Sequence, residues 1–316
     1  MTSLTPAPRG PAPPSRHGPQ RSYSPTRPSE RDVPYRLLVP VMVLLALGMA
    51  ITSLAGPLVL GLMEYRTSST TLSQLLGSDA ATLLLIAPLA LVTALLARRG
   101  HPAAALLASG IGAFAVYTYA QVVIGQEYLR IAGNVERFFP LLLVVFVLAE
   151  AAFVLGWRST SVLPPVSRRV ERAAAYTLLA LAVFLVVGQH MMPIVTAWTD
   201  PSALTEYASS PTPFWLVKLM DLGIVVPAAV VTALGLLHGR PWARRAAVIV
   251  LTAYSCLAVS VTSMALVMLA NSDPDASAGL TLGFAGFALL FLGLTVALYR
   301  PLFQLPAVEA GTGGGR

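Results

Sequence analysis

The sequence predicts an all-α, polytopic membrane protein, a bundle of eight transmembrane helices with a possible 4+4 parallel internal repeat. Three observations lead to this fold class: the composition, the number of long apolar stretches and the placement of the arginines. Of 316 residues, 56% are hydrophobic and only 11% are charged, against about 45–50% and about 25% in an ordinary soluble domain. Because so few charges cannot cover a water-soluble surface, the excess apolar residues are expected to face lipid.

Both ends of the chain are predicted to be flexible. Residues 1–35 are rich in Pro and Arg and contain nine of the 25 prolines, which predicts a disordered cytoplasmic tail. No cleavable signal peptide is expected, because the apolar run that begins at Leu37 is long enough to span a bilayer. Residues 301–316 are predicted to be a short flexible cytoplasmic tail.

Between the tails, residues 36–300 contain eight apolar stretches, each near the roughly 20 residues that cross about 30 Å of hydrocarbon. Prolines inside them, such as Pro57, Pro88, Pro193 and Pro227, are tolerated because neighbouring helices can bond the freed carbonyls. The predicted spans are 37–63, 80–97, 103–124, 138–157, 174–195, 214–237, 243–270 and 279–299.

The arginines predict the orientation. Seventeen of the 20 fall in the tails and in alternate loops, and only Arg66, Arg130 and Arg137 fall on the opposite side. Basic residues favour the cytoplasm, so both termini are predicted to be cytoplasmic. Acidic residues reverse the bias, and Asp79 is counted among those outside. The excess of Arg over the single Lys favours a bacterial plasma membrane. The net charge of +7 therefore reflects how the chain is oriented in the lipid bilayer, and no nucleic-acid partner is predicted.

One internal similarity suggests a duplication. Residues 88–102 (PLALVTALLARRGHP) and 227–241 (PAAVVTALGLLHGRP) agree at eight of 15 positions with a shift of 139. Such a repeat would divide the chain into halves 36–173 and 174–300 with the same topology. The alternative is that both segments are simply helix, short basic turn and helix.

Three ionisable residues, Glu150, Lys218 and Asp221, lie inside the predicted spans, where each is costly and therefore a candidate for function. Lys218 and Asp221 are three residues apart on one helical face and could pair. That pair could equally be a structural salt bridge. Glu150 has no partner in its own helix and needs one from another helix, water or a proton.

Further polar residues gather at the outer ends of helices 3 to 5. Aromatic-belt tyrosines, and capping of helix 4 by Asn134 and Glu136, would explain several of them. If helices 3 to 6 are neighbours, these residues would instead line one outward-facing pocket. The candidate ligand or ion-pathway residues are Glu150, Lys218, Asp221, Glu136, Arg137, Tyr117, Tyr119, Gln121 and His190.

No motif for a cofactor, a metal or a known type of catalysis is present. The sequence lacks HExxH, GxSxG, a P-loop, clustered histidines and an aspartate-rich prenyl-binding motif. Cys256 is the only cysteine, which excludes a disulfide framework and a CxxC pair. His190, Met191 and Met192 do not point the same way on a helix, so no metal site and no cofactor are predicted.

The segments YTYAQVVIGQEY, GNVERFFPL and DLGIVVPAAVVTALGLLHGRPWARR resemble those of bacterial multi-pass integral membrane proteins of uncharacterised function. The resemblance covers about residues 36–300. It implies the membrane class alone, without a reaction, a ligand or functional residues.

Three functions fit these observations. The first is a transporter or ligand-binding module for an unknown small molecule or lipid, with Lys218 and Asp221 at the outer entrance and Glu150 as a proton-coupled carboxylate. The second is an enzyme acting on a lipid or lipid-linked substrate, in which Glu136 or Asp221 is the acid or base and Arg137 or Lys218 binds an anionic group. The third is a scaffold or accessory subunit whose polar groups hold helices together. The catalytic residues and the oligomeric state are not predicted.

Overall fold

A computed structural model describes residues 32–160 and 163–304, with side chains from Arg36 onward. The predicted terminal tails lie outside these residues, apart from a few positions at their inner ends. In the described part the chain forms an all-α bundle with eight helices that are long and apolar enough to span a membrane. The eight-helix membrane fold is therefore confirmed.

The helices follow one another through short connections. They are α1 (Asp32–Ala55), α2 (Ser69–Arg98), α3 (Ala103–Ile124), α4 (Val135–Ser159), α5 (Arg168–Thr199), α6 (Pro211–Leu237), α7 (Pro241–Ala270) and α8 (Ala278–Phe303). Since the number of crossings is even, both described ends lie on one side, here called the terminal face. Loops 56–68, 125–134, 200–210 and 271–277 lie on the opposite side, the loop face.

Three helices contain a stretch of wider π-helical winding. These stretches are Thr82–Ile86 in α2, Phe184–Met191 in α5 and Asp221–Val225 in α6. A π-helical stretch shifts the face on which the following side chains lie, and such stretches are frequent at functional sites.

The first predicted span was too long at its end. Helix α1 stops at Ala55 rather than continuing to residue 63. Pro57 has no N–H to donate and disfavours helical geometry at Gly56, so the helix ends here and Pro57 is not inside it. The chain then folds back, and the Met63 N–H donates to the Ala55 carbonyl at 2.8 Å.

The second predicted span began too late. Helix α2 starts at Ser69, where the Ser68 hydroxyl accepts a hydrogen bond from the Thr71 N–H. Its first turns are polar, which is why hydropathy alone places the start near residue 80. Asp79 consequently lies within a membrane-spanning helix and not in an outer loop.

Helices α3 and α7 lie at the centre of the bundle and contact each other. Helix α3 also packs on α4 and on the loop-face half of α6, whereas α7 packs on α8 and on the loop-face half of α2. Helix α1 packs on α2 and α4, and α5 packs on α6 and α8. Two apolar cores result, one mainly among α1–α4 and the other mainly among α5–α8.

Several local features recur with the spacing of 139 residues seen in the sequence. The π-helical stretch Asp221–Val225 begins 139 residues after Thr82–Ile86. Gly239 follows Gly100 by the same interval, and both have φ of +67°, a left-handed conformation that glycine adopts readily. The pairs α1–α2 and α3–α4 also pack as α5–α6 and α7–α8 do.

An acidic side chain joins α5 to α7 at the terminal face. Glu171 is buried and forms ion pairs with Arg168 in its own helix and with Arg244 of α7. Beside it is a small, largely apolar depression that Leu163 and Leu236 help to line. The two charged partners account for Glu171 as a structural link.

Candidate ligand site

Three helices bring polar side chains together inside the bundle. Asp221 of α6 lies near the middle of its helix, about 15 Å along the axis from Pro211 at 1.5 Å per residue. The Tyr117 hydroxyl of α3 donates to Asp221 Oδ1 at 2.5 Å, and His190 Nε2 of α5 lies 2.9 Å from Asp221 Oδ2. The side chains of His190 and Asp221 are only 7% and 14% exposed. We call Tyr117, His190 and Asp221 the polar triad.

The π-helical winding positions two members of the triad. His190 lies within the π-helical stretch of α5, and Asp221 is the first residue of that in α6. Because the winding departs from 3.6 residues per turn, His190 leaves the face that a regular helix would give it, and Asp221 lies where the change of winding in α6 begins. Tyr117, in contrast, lies on α3, which has regular α-helical winding.

The triad leaves two buried hydrogen-bonding atoms open. His190 Nδ1 and Gln121 Nε2 have no hydrogen-bond partner among the described residues. In a neutral imidazole one ring nitrogen is a donor and the other an acceptor. If Nε2–H donates to the Asp221 carboxylate, Nδ1 is the acceptor, whereas Gln121 Nε2 is a donor. Gln121 is one turn from Tyr117 on α3, so donor and acceptor flank the same triad.

Lys218 does not pair with Asp221 as its spacing suggested. Its ammonium lies over the Phe214 ring, 3.3 Å from the centroid, and the side chain is buried. The two carboxylate oxygens of Asp221 are already bonded to Tyr117 and His190. A cation over an aromatic face is stabilised by the ring quadrupole, so Phe214 takes the place of the expected partner.

Glu136 belongs to a network at the loop face and not to the triad. It forms a two-point ion pair with Arg66, whose Nε and second terminal nitrogen lie 2.9 and 2.6 Å from its oxygens. The hydrogen bond to Glu136 raises the pKa of Arg66. Arg137 is exposed and forms no ion pair within the described residues. Arg66 thus joins loop 56–68 to the start of α4 through Glu136, and to loop 125–134 through the Ile131 carbonyl, to which it donates at 2.9 Å.

Asn134 stabilises the same network instead of capping α4. Its Oδ1 accepts from the Glu64 N–H at 2.8 Å, and its Nδ2 donates to the Leu62 carbonyl at 3.0 Å. The predicted capping bond is therefore absent from the described structure, since no side chain caps the first turn of α4. An asparagine side chain that bonds two loop backbone groups is used as a loop clamp rather than as a helix cap.

The remaining candidates lie outside the triad. Glu150 is exposed on α4, which packs on α1 and α3 while the triad forms among α3, α5 and α6. Tyr119 is 3% exposed and lies on the other side of α3 from Tyr117, next to Thr52 and Asp79. The four predicted neighbours, helices 3 to 6, thus do not enclose one pocket.

Sequence reasoning missed Asp79, which is buried between α1, α2 and loop 56–68. Its Oδ1 accepts from the Ser53 hydroxyl and its Oδ2 from the Tyr65 hydroxyl, each at 3.0 Å. The signal that could have found it is the capping pattern around Ser68, which predicts a helix start ten residues before Asp79, at Ser69. With that start, Asp79 becomes a fourth ionisable residue inside a span.

In the described ranges, no three His, Cys, Asp or Glu side chains lie close enough together to hold a metal ion. The polar triad offers one carboxylate, one imidazole and one phenol, a set suited to hydrogen bonding and proton transfer.

The comparisons with known proteins found no match. No family model matches the chain, and no curated protein or solved structure matches it.

Proposed function

We propose that this protein is a transporter or ligand-binding module of the plasma membrane, with its polar triad as the ligand site. The observation that carries the proposal is the hydrogen-bonded Tyr117–Asp221–His190 arrangement, drawn from three helices about halfway through the bundle. Buried ionisable groups at such depth are costly and typically mark a substrate or ion pathway. The polar triad therefore replaces Glu150, which the sequence suggested as the functional carboxylate of a transporter.

The chemistry of the two open atoms favours a ligand with a hydroxyl group. One hydroxyl can donate to an acceptor such as His190 Nδ1 and accept from a donor such as Gln121 Nε2. A small polyol, an amino alcohol or the hydroxyl of a lipid headgroup has this chemistry. The Asp221 carboxylate orients the imidazole for that contact, as a bonded partner fixes the tautomer of a histidine.

The proposal also includes a duplicated architecture with two four-helix halves. The recurring π-helical stretches, left-handed glycines and helix pairs at intervals of 139 residues support it. Transporters built from parallel repeats bind their substrates between the halves, close to the bilayer midplane. Tyr117 of the first half and Asp221 of the second meet at such a junction.

Asp221→Asn should weaken ligand binding by about 10- to 100-fold. Asparagine carries no charge, and it replaces one of the two carboxylate oxygens that bond to Tyr117 and His190 by an NH2 group, which is a donor and cannot accept. A hydrogen bond to a charged group contributes about 1.5–3 kcal/mol. The measurement is thermal unfolding of purified protein with a panel of hydroxyl-bearing solutes, such as glycerol, inositol and ethanolamine. A solute that binds the site raises the midpoint of the wild type.

Glu150→Gln is the matched control, since it removes a carboxylate charge from α4 outside the triad. It should respond to the same solutes as the wild type. The proposal fails if no solute on the panel stabilises the wild type more than Asp221→Asn. Uptake of an active radiolabelled solute into proteoliposomes would then separate a transporter from a module that only binds.

Both termini are proposed to be cytoplasmic, with the loop face outside. Leu129 is fully exposed in loop 125–134, and the native Cys256 is buried, so a new cysteine can be labelled against a low background. Leu129→Cys should react with an impermeant maleimide in intact cells. Arg99→Cys, at the terminal face, should react only after permeabilisation, and the reverse pattern would overturn the orientation.

A second candidate is an enzyme that acts on a lipid or lipid-linked hydroxyl. The specific observation in its favour is an imidazole held by a carboxylate at one nitrogen with the other nitrogen open, the arrangement of a general base. Incubating proteoliposomes with extracted lipids and analysing them by mass spectrometry would discriminate. A product that forms with the wild type and not with His190→Gln favours the enzyme.

A further inference from the structure

One buried carboxylate in the first half of the bundle lies within a membrane-spanning helix and takes no part in the polar triad. Asp79 is only 9% exposed. The hydroxyls of Ser53 and Tyr65 donate to its two oxygens, each at 3.0 Å. No Lys, Arg or His of the described residues forms a salt bridge with it. A buried charge without a counter-charge is strongly unfavourable, so this site calls for a positive partner.

The end of α1 adds an unpartnered backbone oxygen to the same place. In a continuing helix, the Ser53 carbonyl would accept from the N–H four residues later, but that residue is Pro57, which has none. Among the described residues no other group donates to the Ser53 carbonyl. Buried carbonyls are nearly always paired with a donor or an ion, and this one lies at the negative end of the helix dipole.

Gly56 shows that the oxygens converge. A methyl group built on Gly56 would lie 3.1 Å from Asp79 Oδ2, 3.5 Å from the Tyr65 hydroxyl and 3.6 Å from the Ser53 carbonyl oxygen. Three oxygens from α1, loop 56–68 and α2 therefore surround one small space that the glycine leaves open. Any larger residue at position 56 would project into it.

We propose that the Asp79 carboxylate, the Tyr65 hydroxyl and the Ser53 carbonyl form a binding site for a single Na⁺ ion. A set of oxygen ligands suits a hard cation, and one carboxylate balances one positive charge, whereas divalent sites gather more charge. Helix ends with free carbonyls coordinate Na⁺ in membrane transporters. A phenol is protonated near neutral pH, so Tyr65 contributes a neutral oxygen.

The Na⁺ site stands independently of the ligand site, because the two share no residue. Tyr119 and Tyr117 nonetheless lie two residues apart on α3, with Tyr119 next to Asp79 and Tyr117 bonded to Asp221. A cation bound at Asp79 would therefore lie close to α3, the helix that carries Tyr117 of the polar triad.

The test is thermal unfolding of the purified full-length protein in NaCl, KCl and N-methyl-D-glucamine chloride at equal ionic strength. Na⁺ should raise the midpoint of the wild type saturably relative to the organic cation, because binding to the native state alone adds stability by mass action. Binding of ²²Na⁺ should saturate at one ion per chain. Asp79→Asn and Gly56→Ala should each lose the Na⁺-dependent shift.

Glu150→Gln is again the control and should keep the full shift. Gly56→Ala retains every charge and ligand, so it tests the site even if Asp79→Asn does not fold. Equal midpoints of the wild type in all three salts would overturn the proposal and indicate that Asp79 carries a proton. A Na⁺ shift that persists in both variants would also overturn it, by placing the ion elsewhere.

Discussion

We expect Gly156→Ala to separate α3 from α4 and to lower the thermal unfolding midpoint by several degrees. A methyl group at position 156 would overlap the Ala105 carbonyl oxygen and lie 2.6 Å from Ser109 Oγ. The carbonyl belongs to a helix backbone, so it cannot rotate away as a side chain could. Overpacking of this kind costs about 1–3 kcal/mol, which is a large part of the stability of a typical domain.

The contact depends on small residues along both helices. Gly112 of α3, about two helical turns from Ala105, repeats the arrangement, since a methyl group there would lie 2.6 Å from the Ala149 carbonyl oxygen. Helices in lipid gain no hydrophobic driving force from one another, so they associate through close backbone packing at small residues. The Ser109 hydroxyl adds a hydrogen bond to the Phe153 carbonyl at 2.9 Å.

Gly293→Ala is the matched control for this prediction. A methyl group at Gly293 of α8 would meet no atom within 4 Å, and alanine is favoured over glycine within a helix by about 0.8–1.0 kcal/mol. The two substitutions are chemically identical but should change the midpoint in opposite directions. If Gly156→Ala unfolded at the same temperature as Gly293→Ala, the close approach of α3 and α4 would be disproved.

The helices could be predicted because a membrane span is recognisable from the hydropathy of a single segment of the sequence. The beginning of α2 was not predictable, because its polar face is satisfied by α7 and by the loop that follows α7. Thr70 donates to Asp273 at 3.1 Å, and the Ser78 hydroxyl accepts from Ser260 at 3.0 Å. Such partners are distant in the chain, so the polarity of residues 69–79 was attributed to a loop. Asp79 was therefore placed outside the membrane with them.

The members of the polar triad were each identified from the sequence, but their connections were not. Polar residues inside apolar spans are conspicuous one at a time, which is how Tyr117, His190 and Asp221 were found. Which of them meet depends on how the helices pack and on the π-helical winding at His190 and Asp221. Spacing within one helix suggested Lys218 as the partner of Asp221, yet the partners came from α3 and α5.

Glu127→Ala should destabilise the loop face and the start of α6 together. The Glu127 side chain is 3% exposed, and its Oε1 accepts from the Thr212 N–H in the first turn of α6 at 2.7 Å. This N–H has no partner within its own helix, as is general for the first turn. Ser210, the residue before the helix, does not cap it, because its hydroxyl accepts from the Ser68 N–H at 3.2 Å.

Glu127 therefore supplies the negative charge that a helix N-terminus favours, from a loop 85 residues earlier in the chain. Removing its carboxylate leaves a partly buried donor without its partner, and an unsatisfied buried donor costs about 1–3 kcal/mol. The backbone of the same residue bonds to loop 56–68, since the Glu127 N–H donates to the Arg66 carbonyl at 2.7 Å. One residue thus links α6, through its side chain, to the loop that carries Tyr65, through its backbone N–H.

Thermal unfolding and hydrogen exchange measure the two consequences. Glu127→Ala should lower the midpoint and accelerate amide exchange in residues 205–215, whereas Glu127→Gln should have a smaller effect because an amide oxygen can still accept from Thr212. Glu136→Ala is the control in the same loop region. Glu136 is half exposed, and its ion pair with Arg66 lies at the surface. Exposed ion pairs contribute little to the free energy of unfolding, about 0.2–1 kcal/mol. Equal losses in Glu127→Ala and Glu136→Ala would contradict the capping role, because they would mean that burial of the carboxylate makes no difference.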